Sequence, residues 1–347
     1  MKPTLEELKS AFEKLGYSAA AIEEELCSEH LARLELQYFR SFPVQEVCRH
    51  IIALQKVTAE RPVEVVWRNV LSEDSEELLE ITILGFDYPG LFSLITGVLA
   101  AKGFSIRWGD VFTYSPAKSR RRKRAGPGKK EKNFYRRRIV DRFVGVLFEK
   151  EEPERFVTEV KNDLQSALRI LEEGGKAGAG RARNMVNEMV ARQLRKIPIA
   201  PQRILYPLQI TVDSGSGPFT VLRVVGQDTP AFLYALSAAL DLQGVTIEHV
   251  RIRTVGSRVE DELHVLCRGA KIEDEEEIDK IKLTVVLSKQ FTYFLPGAPD
   301  PYAALCRFEH LVEELLALPQ RGKWLELLSS PRALRNLARL LGTSDFI

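Results

Sequence analysis

The feature that most constrains the fold is a pattern of hydrophobic and turn residues that occurs twice in this 347-residue chain. From Phe219 to Leu266 the sequence predicts a strand, a sharp turn, an amphipathic helix ended by a glycine, a second strand, a hairpin and a third strand. Residues 80–148 contain a looser copy. When Asp87 is aligned with Asp228, the turns, the helix-ending glycines and the second strands agree, which indicates an internal duplication.

Each copy predicts an α+β unit. The order of strands and helices is typical of ferredoxin-like folds, in which helices cover one face of an antiparallel sheet. We expect two such domains with helical segments before, between and after them. The predicted boundaries are an N-terminal helical segment 1–61, a first domain 62–173, a helical linker 174–205, a second domain 206–295 and a C-terminal helical segment 296–347.

The local structure of two further stretches can also be considered from their sequences. The glycine-rich run 174–180 (GGKAGAG) predicts a flexible connection at the start of the linker. The apolar residues 282–294 are compatible with a strand or with a helix, and periodicity does not decide between them.

A basic insertion, residues 116–138, interrupts the hairpin of the first domain. Between Lys118 and Arg138 it has twelve Lys or Arg residues and the single acidic residue Glu131. Such a composition buries no core. Two interpretations remain open: a solvated loop, or a surface in which the basic residues, with Phe134 and Tyr135 among them, contact nucleic acid or an acidic protein.

Composition excludes several classes of protein. The four cysteines have no CxxC spacing, which favours reduced thiols over disulfides or a metal site. The amino terminus lacks the apolar core of a signal peptide, and no apolar run reaches the roughly 18 residues of a membrane span. The five histidines are dispersed. We therefore expect a cytoplasmic protein with no metal, no cofactor and no catalytic site of its own.

The turn Asp87–Phe92, with the sequence DYPGLF, resembles the Asp-x-Pro-Gly-Leu-hydrophobic turn of ACT domains, the small-molecule-sensing modules of amino-acid metabolism. The second copy has a variant with Ala231 in place of the glycine. Residues 245–261 resemble the second strand and hairpin of the tandem ACT domains of the PII-protein uridylyltransferase/uridylyl-removing enzyme family. The resemblance covers about residues 79–172 and 207–290. It implies two βαββαβ domains that sense an amino acid, with glutamine as the ligand.

The C-terminal stretch Leu337–Phe346 (LARLLGTSDF) resembles a helical stretch ahead of the catalytic domain in the glutamine-synthetase adenylyltransferase family. Together the resemblances imply a regulatory module of nitrogen metabolism whose partner is a nucleotidyltransferase or a PII-type protein, with a homodimer as one assembly. Two alternatives remain open. The chain is the N-terminal part or a remnant of such an adenylyltransferase, or it is a nucleic-acid-binding regulator that uses residues 118–138.

The resemblance also implies a ligand site at the turn before each helix, where free N–H groups and the helix dipole favour a carboxylate. The expected contacts are Asp87, Tyr88, Pro89, Gly90, Leu91, Phe92, Asp228, Thr229, Ala231 and Phe232. Because a glycine lets a ligand approach the backbone, the first turn is favoured over the second. The sequence leaves open whether Asp87 and Asp228 contact an amino group or cap their helices, and whether His249 lines a pocket.

Overall fold

A computed structural model describes residues 2–317 apart from 19–21, 73–74, 117–136, 149–151, 198–207 and 216, together with residues 336 and 343. Nearly all of the basic insertion and of the stretch 337–346 lies outside the described residues. The interpretations of those two segments therefore stay predictions.

Four helices come first in the described chain, and the order two strands, one helix, two strands, one helix then occurs twice before a last helix. The helices are α1 (Leu5–Lys14), α2 (Glu24–Arg33), α3 (Leu36–Ser41), α4 (Val44–Gln55), α5 (Leu91–Ala101), α6 (Pro153–Leu194), α7 (Phe232–Leu242), α8 (Glu275–Phe294) and α9 (Pro301–Ala317). The strands are β1 (Val63–Leu71), β2 (Glu77–Phe86), β3 (Phe104–Thr113), β4 (Arg138–Leu147), β5 (Gln209–Asp213), β6 (Thr220–Gln227), β7 (Val245–Val255) and β8 (Arg258–Cys267).

The described strands form one eight-stranded sheet in the order β1-β2-β4-β3-β7-β8-β6-β5. The order within each half is the same: the first strand of the repeat lies between the third strand and an edge strand. The edge strands β1 and β5 pair antiparallel with β2 and β6. The predicted α+β class with two ferredoxin-like halves is confirmed. In both halves the edge strand precedes the repeat, so the chain order is ββαββα, whereas the βαββαβ order would place that strand last.

Close contacts divide the chain into two compact units, residues 1–88 with 110–143 and residues 89–109 with 144–347. In the first unit, buried aromatic and imidazole rings connect the N-terminal helices to the sheet. The Tyr38 hydroxyl lies 2.9 Å from Nε2 of His30 and 2.7 Å from Nδ1 of His50. The other nitrogen of His30 lies 2.6 Å from the hydroxyl of Tyr114. These bonds satisfy polar groups that are fully removed from water.

In the second unit, α6 is a single helix of 42 residues. The prediction of a flexible connection at residues 174–180 is therefore wrong, and the helix runs through the expected boundary between 173 and 174. Glycine disfavours a helix by only about 1 kcal/mol per residue, so tertiary packing can override it. Val186, Val190 and Leu194, in the following turns of α6, are buried. Residues 282–294, which periodicity left undecided, belong to helix α8.

Burial makes the histidines of the first unit a source of pH-dependent stability. Burial lowers the pKa of His50 to about 3, with Arg142, Arg68 and Arg49 acting in the same direction. The unfolded chain binds this proton near pH 6.5. Between these values the unfolded state binds more protons, so the contribution of a neutral His50 is complete above about pH 6.5 and is lost as the pH falls towards 3.

We predict that His50→Gln, which cannot ionise but can still bond to Tyr38, flattens the loss of stability between pH 7 and 5. The expected change in slope approaches 1.4 kcal/mol per pH unit, measured as the urea unfolding free energy. Burial raises the pKa of Asp141, which gives a contribution of the opposite sign. Because wild type and His50→Gln share that contribution, it cancels when their slopes are compared. His310→Gln, at an exposed position, is the control and should keep the wild-type slope. Equal slopes for His50→Gln and wild type would contradict the prediction.

Candidate functional site

The two turns that the sequence singles out have the same backbone form. The N-cap residues are Gly90 for α5 and Ala231 for α7, and both are left-handed, with φ of 73° and 57°. Asp87 and Asp228 each lie three residues before these N-caps, so neither aspartate is the N-cap of its helix. Ala231 adopts the conformation that glycine takes in the first turn, although an alanine there is strained.

The space beside the first turn is already occupied. A Cβ atom on Gly90 would lie 2.9 Å from Oδ2 of Asp241, at the end of α7. Arg183 of α6 holds that carboxylate at 3.6 Å and also pairs with Glu309 at 3.1 Å. A ligand carboxylate approaching Gly90 would therefore meet a carboxylate of the protein, which repels it.

Asp87, at the start of the same turn, has a partner of its own. Its carboxylate lies 3.4 Å from Nε of Arg137, and its backbone N–H donates to the Arg137 carbonyl at 2.9 Å. Tyr88 and Leu91 are buried in the core. Of the residues predicted to bind a ligand here, Pro89 is exposed, and Phe92 and Gly90 are half-buried.

The space beside the second turn is open. Ala100 has in the first copy the position that Asp241 has in the second, because both lie thirteen residues after the aspartate of their turn. The small side chain of Ala100 leaves a cavity of about 310 Å³ against the N-terminus of α7. Volumes of about 300–1,000 Å³ are usual for small-molecule sites.

The cavity has three walls. The turn and the start of α7 supply residues 228–234. The ends of α5 and α6, with the start of β3 and Phe148, supply the second wall, and β7 and β8 supply the third. The lining is Thr96, Ala100, Gly103, Phe104, Ser105, Ile106, Phe148, Val190, Gln193, Leu194, Ile197, Asp228, Thr229, Pro230, Ala231, Phe232, Leu233, Tyr234, Ile252, Thr254, Val259 and Asp261.

Two carboxylates belong to this lining. Asp261 on β8 is only 3% exposed, and burial raises its pKa to about 7, against the opposing charge of Lys289. Asp228 as a whole residue is exposed to solvent. The surrounding protein nevertheless removes enough water from its carboxyl group to raise the pKa of that group. The positive charges of Lys289 and Arg107 act in the opposite direction. Charged side chains in the lining are thus acidic, and a protonated amine is the group they would attract.

Lys289 of α8 lies behind the turn. It is 3% exposed, and its Nζ atom lies 3.7 Å from the centre of the Phe232 ring. Among the residues that the structure describes, this Nζ atom has no hydrogen-bond partner. Burial lowers the pKa of Lys289 to about 8, and Asp261 and Asp228 raise it. The lysine therefore favours the ionised form of the two aspartates of the cavity.

The buried aspartate is a feature of both copies. Asp141 on β4 corresponds to Asp261, and both are almost completely buried. Each accepts a backbone hydrogen bond from an equivalent residue of the neighbouring strand, Phe112 for Asp141 and Arg253 for Asp261. The duplication therefore extends to side-chain contacts. In the second copy, the buried aspartate Asp261 lines the cavity.

The predicted site residues thus divide into two groups. Asp228, Thr229, Ala231 and Phe232 come together in the cavity lining, which, as far as the described residues define it, contains none of residues 87–92. His249 is not part of the lining and instead packs against Phe219, with ring centres 5.2 Å apart. The ligand-binding role of either turn remains a prediction, and the open space favours the second turn over the first.

Sequence reasoning missed the part of the lining that Phe148 and the end of α6 supply. Phe148, Gln193, Leu194 and Ile197 belong to this part. They are distant along the chain from residue 228, and no local motif marks them. Asp261 did carry a signal, because it aligns with Asp141 in the repeat.

Other kinds of site have no support in the described ranges. There, no group of three or more His, Cys, Asp or Glu side chains is placed to hold a metal ion. Over the same ranges, no helix is both long enough and apolar enough to cross a membrane.

Comparison with known proteins gives one consistent result, although no family model matches the chain. The bifunctional uridylyltransferase/uridylyl-removing enzyme of Rhodospirillum rubrum is 27% identical over 215 residues, which are 61% of this chain and 20% of the relative. The enzyme of the same name from Azospirillum brasilense is 25% identical over 258 residues, 73% of this chain and 24% of the relative. The enzyme of the same name from Gluconobacter oxydans is 27% identical over 214 residues, which are 60% of this chain and 19% of the relative.

This chain is distantly similar to a portion of that enzyme. It spans only about a fifth to a quarter of the length of these relatives. The similarity agrees with the resemblance of the repeat to the tandem ACT domains of the same family.

The two turns offer a matched pair of substitutions. We predict that Gly90→Ala lowers the unfolding free energy by about 1–3 kcal/mol, because it combines a left-handed alanine with a close approach to Asp241. Ala231→Gly should leave stability unchanged or raise it by up to about 1 kcal/mol, since relief of strain is offset by the entropy of a glycine in the unfolded chain. Urea unfolding measures both. An equal loss in the two variants would contradict the assigned backbone conformations.

Proposed function

We propose that this chain is a cytoplasmic regulatory module that binds a free amino acid and has no catalytic site of its own. The observation that carries the proposal is the cavity at the second turn, where a helix N-terminus and two aspartates line one small volume. An α-amino acid has a carboxylate for the first group and an ammonium for the second. The repeated ferredoxin-like architecture and the distant similarity to uridylyltransferase/uridylyl-removing enzymes support a regulatory role.

In this proposal the ligand carboxylate lies at the start of α7. The N–H groups in the first turn of a helix have no partner within the helix, and the helix dipole adds a partial positive charge there. The ligand ammonium pairs with Asp228 and Asp261. That pairing stabilises the ionised aspartates, whose neutral forms burial otherwise favours. Lys289 lies nearby and keeps the net charge of the occupied site small.

Regulation would follow from the position of the cavity. Its walls come from α5, α6, α7 and the central strands, so an occupied cavity holds elements of the second unit together. We propose that this stabilised form is read by a nucleotidyltransferase or a PII-type protein, in the control of nitrogen metabolism. Glutamine is the ligand that the family resemblance implies.

The two alternative functions depend on other parts of the chain. The interpretation as an adenylyltransferase fragment is based on residues 337–346. The interpretation as a nucleic-acid-binding regulator is based on residues 118–138. Nearly all of both stretches lies outside the described residues. The cavity therefore gives the amino-acid-binding proposal its more direct support.

A thermal-shift screen of the twenty amino acids, each at millimolar concentration, tests the proposal. A ligand present at a hundredfold its Kd should stabilise the protein by about 2.7 kcal/mol. Ala100→Leu should abolish the shift because the larger side chain fills the cavity. Ala101→Leu, on the same helix but not in the lining, is the matched control and should keep it. An α-N-acetylated form of the ligand, which lacks the ammonium, should not bind.

Two results would contradict the proposal. One is the lack of a shift with any amino acid. The other is a full shift in Ala100→Leu, which would place the ligand elsewhere on the protein.

A further inference from the structure

Asp261 is a carboxylic acid in the lining of the cavity that has almost no contact with water. It is 3% exposed and accepts a backbone hydrogen bond from Arg253 on β7. Its Oδ1 atom has no hydrogen-bond partner among the residues that the structure describes. A buried carboxylate needs hydrogen bonds or a close cation to replace the water that it loses. Burial therefore raises the pKa of Asp261, to about 7.

The charged side chains that act on Asp261 come from α8 and from the turn. Lys289 favours the ionised form of Asp261, whereas the negative charge of Asp228 disfavours it. Arg107 on β3 acts on Asp228. The Nζ atom of Lys289 is buried and, within the described part of the chain, has no hydrogen-bond partner. Lys289 therefore offsets the burial of Asp261 only in part.

The proposed binding mode adds a positive charge beside Asp261. The ammonium group of an amino acid brings N–H donors and a full charge to the carboxylate, and both stabilise its ionised form. The occupied cavity therefore lowers the pKa of Asp261 below its value in the empty cavity. The carboxylate of the amino acid, at the start of α7, acts on Lys289 in the direction opposite to that of the ammonium. For this reason we assign the change in protonation to Asp261.

From these contacts we propose that the cavity expels a proton when it takes up an amino acid, and that Asp261 supplies this proton. The O–H bond of the carboxyl group breaks, the proton passes to the solvent and the carboxylate pairs with the ammonium. The inference rests on the proposed amino-acid-binding function and adds a form of regulation to it. Because the proton and the amino acid disfavour each other's binding, the affinity for the amino acid rises as the pH rises through neutrality.

Titration calorimetry of the full chain at pH 7 tests the proton release. The probe is glutamine, or whichever of the twenty amino acids stabilises the chain most. Phosphate and Tris buffers differ widely in ionisation enthalpy, so a released proton makes the binding heat depend on the buffer. Because a carboxyl group with a pKa of about 7 is half protonated at pH 7, we expect release of about half a proton per amino acid.

The possible results separate this inference from the proposed function. Binding with the same heat in both buffers would overturn the proton release and leave the proposed function standing. Binding of none of the twenty amino acids would remove both.

The pH dependence of the affinity provides a second readout. The empty site has to lose a proton before it pairs with the ammonium, so the affinity should rise about tenfold between pH 6 and pH 8. Asp261→Asn should bind more weakly, with an affinity that stays constant over this range. Asp141→Asn is the matched control, because the equivalent buried aspartate of the first copy is not part of the described cavity lining. A tenfold rise that persists in Asp261→Asn would overturn the inference.

Lys289→Met tests the assignment even if Asp261→Asn does not bind. The substitution removes a cation that favours the ionised carboxylate, which raises the pKa of Asp261 further. Proton release at pH 7 should therefore increase from about half a proton towards one proton per amino acid, and the rise in affinity should move to higher pH. A purely structural role of Lys289 would leave the number of released protons unchanged. An unchanged or smaller release would overturn the assignment to Asp261.

Discussion

The close approach of three helices at Gly97 is the packing constraint on which the second unit depends. A Cβ at this position of α5 would lie 2.4 Å from Val186 of α6 and 2.7 Å from Tyr234 of α7. No larger side chain fits without moving one of these helices. The Tyr234 hydroxyl then donates to Asn187 at 2.6 Å, which fixes α7 against α6. The cavity lies beside this contact, because the same three helices supply eight of the residues that line it.

Duplication provides two equivalent turns, and a single side chain separates their chemistry. The carboxylate of Asp241 lies beside the first turn, whereas Ala100 lines the cavity beside the second turn. The backbone of both turns is left-handed at the N-cap, and both copies retain a buried aspartate on the third strand. The difference in function that we propose therefore arises from side-chain volume and charge on the neighbouring copy, and not from the turn itself.

Much of the fold could be predicted because it depends on local signals. The glycines that end α5 and α7, Gly103 and Gly244, have positive φ as their role in the repeat requires. The alternation of apolar residues fixed the strands of both copies. Helix α6 was harder, since its glycine-rich segment favours a flexible chain locally and becomes helical through packing elsewhere along the same helix.

The site was harder to predict than the fold for a physical reason. Reasoning from the turn alone favours Gly90, whose backbone is free to accept a ligand, over Ala231. Whether a ligand has room depends instead on Asp241 and Ala100, which lie far along the chain from the turns that they face. A turn motif predicts the conformation of its own backbone. The space available for a ligand beside that turn depends on residues outside the motif.

Hydrogen exchange with and without the best-bound amino acid tests this account most directly, because it reports both turns in one experiment. The account predicts slower exchange of amides at residues 228–234 and 190–197 when the ligand is present, with no change at residues 87–92. Protection confined to residues 87–92 would contradict it and assign the ligand to the first turn.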